Sequence, residues 1–514
     1  MPRLGSKIWY GTFSQETDLH RPHILPWLAW IAVITLVLGI RYSLPFECTD
    51  ALTVHQRILD SLAAGQVWGR QALVGTAEFP LLTTAAMLFA EQLGTLVKLP
   101  AGHVLVGVSQ VWAVVYLIRI PKTPRARCLI ATLVPIFFAT PEFRAMIFAL
   151  DPNWITAVPA VAAFYHLTQW FRYNALRDVV LLAVNGGLLV FAGPTGMCIA
   201  VVFLIVTSTR IHHINEQWSG HDLRGVHFLT WAPFVYCCGL ILLANWLIMR
   251  DLVFILRHTT NAPLSANIDE LLTGTAQGLS TLPWLAAAGI VTTGLGIFTR
   301  KRTLCASLFA TLAGISLIQA VYDTLNVHLP AGRLILGTLG IAALATPIML
   351  YGVRKGPRLW HGIAALLMIL AVTAEIKVSQ HCFITHANLI QRHPHRAHIT
   401  AWVDKAWEDA RIMVYGTLTP AIYFDPKERR FVSRLDFSAR NLLWRARDEQ
   451  LYLLVPPANG RFYPNRNNAM ARIHEHGAPW LLLEQTWRPG WQLWRCVVLP
   501  TSVENTDLQT PSSD

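Results

Sequence analysis

The sequence predicts a mainly α fold: a polytopic transmembrane helical bundle of about 10–12 membrane segments, closed by a small C-terminal α/β domain. Three observations predict it. Of the 514 residues, 53% are hydrophobic and 14% charged, against roughly a quarter charged in soluble domains. Apolar runs of about 20 residues, the length a bilayer crossing needs, recur through the first three quarters of the chain. After residue 395 the character changes to short apolar runs set among Arg, Asp, Trp and Pro, which read as strands.

Taken in order, the spans are Ile24–Ile40, Val104–Ile120, Cys128–Thr140, Asn153–Phe171, Val179–Val206, Val226–Met249, Leu282–Phe298, Leu304–Val321, Leu334–Tyr351 and Trp360–Ala374. The first lacks a small-x-small cleavage site and reads as a signal anchor. Val179–Val206 is interrupted by Gly193-Pro194-Thr195-Gly196 and reads as two half-helices forming a hairpin. The net charge of +12 is no nucleic-acid signature, because the cations sit in short clusters between spans. Arg119, Lys122, Arg125 and Arg127 form one cluster; Arg172 with Arg177, Arg210, Arg300-Lys301-Arg302 and Arg354-Lys355-Arg358 form the others. The positive-inside rule puts all of them, with the N-terminus, in the cytoplasm.

Parity then constrains Pro80–Leu99, which carries Glu91 and Gln92. With the first loop outside and Arg119–Arg127 inside, this stretch and Val104–Ile120 supply one net crossing between them. Pro80–Leu99 is therefore expected to be re-entrant, tilted or incomplete. The same count sends the loops at 250–281 and 322–333, and everything after about residue 377, to the extracytoplasmic side.

Four regions follow: a bundle over 1–376 with an external loop at 41–79, a connector at 377–394, an extracytoplasmic α/β domain at 395–500, and a disordered tail at 501–514. In the domain, IMVYG, LYLLV, WLLLE and WRCVV are the expected strands. The His-rich run Gln391–His398 reads as a charged connector. Cys48, Cys382 and Cys496 face an oxidising compartment on this map, where a disulfide among them is one option. The sequence contains no Walker loop, no nucleotide-binding glycine fingerprint, no His-Glu-x-x-His and no spaced Cys-x-x-Cys pair.

Chemistry points to the external mouth. In FECTDALTVHQRILDSLAAGQ, Ala51, Val54, Ile58 and Leu62 form one apolar stripe of a helix that rests on the membrane surface. Glu47 and Asp50 stand at its start, where a carboxylate serves as general base or metal ligand, or simply as a helix cap. Asp151, in ALDPNWITAV, falls on the same side by parity and is also well placed to cap a helix.

The order of these features resembles the opening of the GT-C superfamily of polytopic glycosyltransferases, which includes protein O-mannosyltransferases and aminoarabinose transferases. The residues carrying the resemblance are Asp50 in the first external loop, Gly65 closing the amphipathic helix, Pro80-Leu81 opening the next helix and Gly94 closing it. ALDPNWITAVPAVAAFYHL is similar to the family's second acidic loop and VNGGLLVFAGPTGMCIAVVFLIV to its Gly-rich broken helix pair. VHLPAGRLILGTLG resembles the late stretch in which an Arg heads a span.

This resemblance implies an enzyme that takes a sugar from a polyprenyl-phosphate-linked donor and passes it to a glycan, lipid or protein acceptor on the extracytoplasmic face of a bacterial inner membrane. Asp50 would be the catalytic base or part of a metal site, with Glu47 beside it and Asp151 the supporting acid. Arg57, Arg257, His258, His328 and Arg333 are the outward cations available to hold the donor phosphate, or to snorkel to lipid headgroups. The first loop carries Glu47-x-x-Asp50 in place of an Asp-x-Asp pair, and Pro194-Thr195 stands where the family has a Lys. A divalent metal is thus an open element of the site. Two rival readings are a non-catalytic assembly protein on the same fold and a transporter. Transport would call for ionisable groups in the middle of several spans, and these spans are nearly free of them.

Overall fold

The computed structural model describes residues 80–97, 101–120, 154–213, 220–252, 282–298, 302–324 and 330–351, parts of 130–140, 366–377 and 401–405, and residues 410–414, 431–433, 450–455, 473–487 and 490–497, together with Val74. They fall into two compact units, one helical within Arg57–Phe383 and one mixed within Ile384–Asp514.

The helical unit contains α1 (Leu81–Val97), α2 (Ala101–Arg119), α3 (Trp154–Tyr173), α4 (Leu176–Val190), α5 (Gly193–His213), α6 (Gly220–Met249), α7 (Trp284–Gly296), α8 (Arg302–Thr324) and α9 (Pro330–Tyr351). α3 is the hub, packed against α1, α2, α4, α5, α8 and α9. Its small residues Ala157, Ala160 and Ala163 are fully buried, which lets neighbouring helices come close. Among the described residues, Gly193–His212, Leu223–Ile248 and Arg302–Val321 are long and apolar enough to cross a membrane, with shorter apolar helices at Val104–Arg119, Trp284–Gly296 and Leu334–Leu344. α6 leaves Phe228, Val235, Tyr236 and Leu247 exposed. An apolar surface of that kind belongs in lipid.

Two turns fix the ends of the bundle. At one, Asn174 takes a left-handed φ of 52° between α3 and α4. At the other, Phe191 and Ala192 join α4 to α5, with Gly193 at φ 84°. A Cβ on Gly196 would overlap the Leu189 carbonyl, so the hairpin closes only with glycine there. The interruption read at Gly193–Gly196 is therefore a helical hairpin, with both outer ends at the Tyr173 end.

α1 makes no crossing of its own. The Leu82 N–H donates to the Phe191 carbonyl at 2.9 Å, fixing the start of α1 at the Phe191 end. At the opposite end, Arg172 donates to the Ile120 carbonyl at 2.6 Å, and the Tyr116 and Tyr165 rings meet at 5.5 Å. α2 therefore runs parallel to α3, and Ala101 lies towards the Phe191 end. The chain from Val97 to Ala101 reaches at most about 14 Å, whereas α1 is about 25 Å long. Both of its ends belong to the Phe191 end, the arrangement that charge parity demands of Pro80–Leu99.

α9 begins at the same end. Its Gly337 abuts the Phe137 ring, and the neighbouring Phe138 packs edge-on against Trp154, the first residue of α3, at 5.3 Å. α7 follows α9 closely: a Cβ on Gly289 would stand 3.2 Å from the Gly340 Cα.

The C-terminal unit holds β1 (Arg411–Val414), β2 (Phe431–Ser433), β3 (Leu451–Val455), β4 (Leu481–Trp487) and β5 (Trp491–Cys496) in the order β2-β1-β3-β5-β4. β1 pairs in parallel with β2 and β3, while β3–β5 and β5–β4 are antiparallel. The central β3 is buried throughout, as its unbroken apolar run requires. The strand expected at WRCVV starts earlier, at Trp491, directly after the Gly490 turn (φ 125°). β2 is an additional edge strand, too short to stand out in the sequence.

Candidate functional site

Seven of the eight residues singled out by sequence (Glu47, Asp50, Arg57, Asp151, Arg257, His258 and His328) lie outside the described residues. The eighth, Arg333, lies in the first turn of α9. Trp154 follows Asp151 by three positions and heads α3, and Gly337 follows Arg333 by four. The contacts through Phe137 and Phe138 put the first turns of α3 and α9 at the Phe191 end, where α1 lies across the α4–α5 turn.

The same end of the bundle contains a carboxylate that sequence reasoning did not single out. Glu375 is completely buried. Its Oε2 accepts the Trp284 N–H at 2.6 Å. A helix N-terminus carries unsatisfied donors, so a buried carboxyl oxygen there meets a backbone N–H that needs an acceptor. α7 opens at Trp284 after Pro283 and has no side-chain cap of its own; Glu375 supplies one from a distant helix. The available signal was an acidic residue directly after the apolar run ending at Ala374.

A second polar constellation occupies the Tyr173 end. His166 Nδ1 donates to Asp178 Oδ1 at 2.9 Å across the α3–α4 turn. The imidazole is framed edge-on by Tyr165 at 4.9 Å and Tyr116 at 6.0 Å. Arg172 is tied to the end of α2, and the Arg210 guanidinium lies over the Phe171 ring at 5.2 Å. Both of these arginines serve packing contacts between helices, which suits this end to anchoring helices. Among the described residues, no group of three His, Cys, Asp or Glu is placed to hold a metal ion.

No family model matches the chain, and no curated protein does. A solved structure does: the crystal structure of ArnT from Cupriavidus metallidurans bound to undecaprenyl phosphate, with a TM-score of 0.50 over 91% of this chain and 98% of that one. ArnT is a GT-C aminoarabinose transferase. The fold is GT-C-like. At 11% identity the likeness is one of architecture, and it spans both the helical bundle and the small C-terminal sheet. The GT-C-like fold, with its long apolar helices, makes this an integral membrane protein.

Proposed function

We propose that the protein is a membrane glycosyltransferase that moves a sugar from a polyprenyl-phosphate-linked donor to an acceptor on the extracytoplasmic face. The observation that carries this reading is the GT-C-like fold over nearly the whole chain. Two further features support it. The helices next to Asp151 and Arg333 start at one end of the bundle, and Arg119, Arg172, Arg177 and Arg210 gather at the other. The positive-inside rule assigns the arginine-rich end to the cytoplasm and hence the Phe191 end to the outside.

In this reaction the bond between the sugar's anomeric carbon and the donor phosphate oxygen breaks. An acceptor hydroxyl forms the new bond, and its proton passes to a carboxylate. Asp50 is our choice for that base, with Glu47 and Asp151 supporting it. The departing polyprenyl phosphate keeps the electron pair, and Arg57, Arg257, His258, His328 and Arg333 are the cations proposed to neutralise it. A divalent ion bound by Asp50 and Glu47 would supply the same stabilisation of the phosphate.

The deciding experiment is sugar transfer by purified Asp50→Asn protein that is folded and inserted. Transfer is expected to be abolished, and full activity would remove Asp50 from the mechanism. A reporter fused after residue 400 is expected to read extracytoplasmic; a cytoplasmic signal would invert the map. Transfer that survives chelation and falls after Asp50→Asn would assign the carboxylate as a base rather than a metal ligand.

A further inference from the structure

α1 carries an apolar face that the fold leaves open. Ala85, Phe89 and Leu96 lie on one side of the helix, with Gln92 the polar residue among them. Phe89 is 66% exposed and Leu96 79%. The opposite side, formed by Thr83, Met87, Ala90 and Gly94, is buried. Glu91 is exposed as well, and it lies about 160° round the helix from Phe89. An exposed charge and an exposed apolar stripe thus point in nearly opposite directions.

The level of α1 in the bundle follows from α6. Val226 on α6 shares a buried cluster with Val179 on α4. A Cβ on Gly187 would lie 3.1 Å from the Cys237 Sγ and 3.2 Å from the Pro233 carbonyl oxygen. α4 and α6 therefore run side by side in the same direction, and Phe191 is about level with Gly239. α6 continues to Met249, about 15 Å further. Over that last stretch Leu240, Leu243, Trp246 and Leu247 are exposed. Such a surface belongs in lipid, so hydrocarbon extends past the level of the α4–α5 turn. α1 starts at that turn, through the bond from the Leu82 N–H to the Phe191 carbonyl, and both of its ends stay at this end of the bundle.

We infer that α1 lies along the membrane, with Phe89 and Leu96 against the acyl chains of bilayer phospholipid and Glu91 turned to the aqueous side. Two independent observations meet in this placement. The pattern of α1, apolar on one side and charged on the other, is that of a helix resting between headgroups and hydrocarbon. The overhang of α6 puts lipid at the level where α1 is attached, so the open stripe of α1 continues the lipid-facing surface of α6. A water-soluble partner would have to reach a face lying below the apolar end of α6, where acyl chains already stand. The inference rests on the chain's being an integral membrane protein and is independent of sugar transfer.

The test is photo-crosslinking of the full chain in nanodiscs of phosphatidylethanolamine and phosphatidylglycerol. Phe89, Leu96 or, as the lipid-facing reference, Trp246 is replaced by p-benzoylphenylalanine. After irradiation, mass spectrometry is expected to find phospholipid adducts at 89 and 96 in yields within about threefold of that at 246. A lower yield at either position overturns the inference, as do adducts to another peptide of this chain or to a second copy. The unaltered chain supplies a measurement that does not depend on the variants folding. Labelled in the same nanodiscs with a lipid-soluble diazirine, the α1 peptide is expected to take up label within about threefold of the α6 peptide. Weaker labelling of α1 overturns the inference too.

Discussion

The Trp284 N–H donates to the buried Glu375 carboxylate at 2.6 Å, bridging residues 91 apart in the chain. A carboxylate near the end of the 366–377 helical stretch thereby completes the first turn of α7. The bond crosses between two elements that have no loop in common, so it fixes their separation at the bundle end where α9 also begins.

Glu375→Ala removes the acceptor and leaves the helix N-terminus facing an apolar interior. The expected loss is about 3 kcal/mol, the upper range for leaving a buried donor unsatisfied. Glu375→Gln keeps an oxygen acceptor for the Trp284 N–H and is expected to cost less, about 1 kcal/mol. Thermal midpoints in nanodiscs should rank wild type, Gln, then Ala. Equal midpoints for Ala and wild type would show that the contact contributes nothing.

The His166–Asp178 contact is expected to behave as a coupled pair. Its side chains are 8% and 15% exposed, so removing either partner strands the other in a poorly hydrated place. His166→Ala and Asp178→Ala should each destabilise the α3–α4 hairpin, and the double variant should cost less than their sum by about 1–2 kcal/mol. Strict additivity in this double-mutant cycle would mean that the two side chains are merely adjacent.

The parts of this fold legible in the sequence are those fixed by local chemistry. Gly193-Pro194 announces a helical hairpin because a left-handed turn and a proline-compatible first turn are local demands. The charge clusters give the parity that keeps α1 from crossing, and LYLLV reads as a fully buried strand. Glu375 and the His166–Asp178 pair were hidden for the opposite reason. Each looks ordinary in its own segment and gains meaning from a partner on another helix. Asp50 and Asp151 stand out in sequence by position and family pattern, and their geometry lies outside the described residues.

Cys496 gives a readout of the C-terminal unit. Burial in β5 pushes its thiol from 9.0 up to about 12. Burial, and then the neighbouring Glu484, raises Tyr452 as well. Both groups hold protons more tightly folded than unfolded. The Cys496 contribution is complete below about pH 9 and is lost as pH climbs towards 12. Iodoacetamide labelling of the full chain at pH 8.5, read at the Cys496 peptide by mass spectrometry, should run on the order of 100-fold slower than in denaturant. Equal rates in the two conditions would contradict a buried thiol.

Glycine separates the positions where helices touch from those where they do not. A Cβ at Gly340 would lie 2.5 Å from the Leu285 carbonyl oxygen, which is backbone and cannot swing away. Gly340→Val therefore has to push α7 from α9, at an expected loss of about 3 kcal/mol. At Gly107 on α2 nothing lies within 4 Å of an added Cβ, so Gly107→Ala should be neutral or stabilise by up to about 1 kcal/mol through helix propensity. The contrast also bears on function. Gly340 is seven residues, close to two turns, beyond Arg333 on α9, so displacing the helix displaces the cation proposed to hold the donor phosphate. If that role is right, inserted Gly340→Val protein loses sugar transfer while Gly107→Ala retains it. Full transfer by a Gly340→Val protein with a lowered midpoint would dissociate α9 from the chemistry.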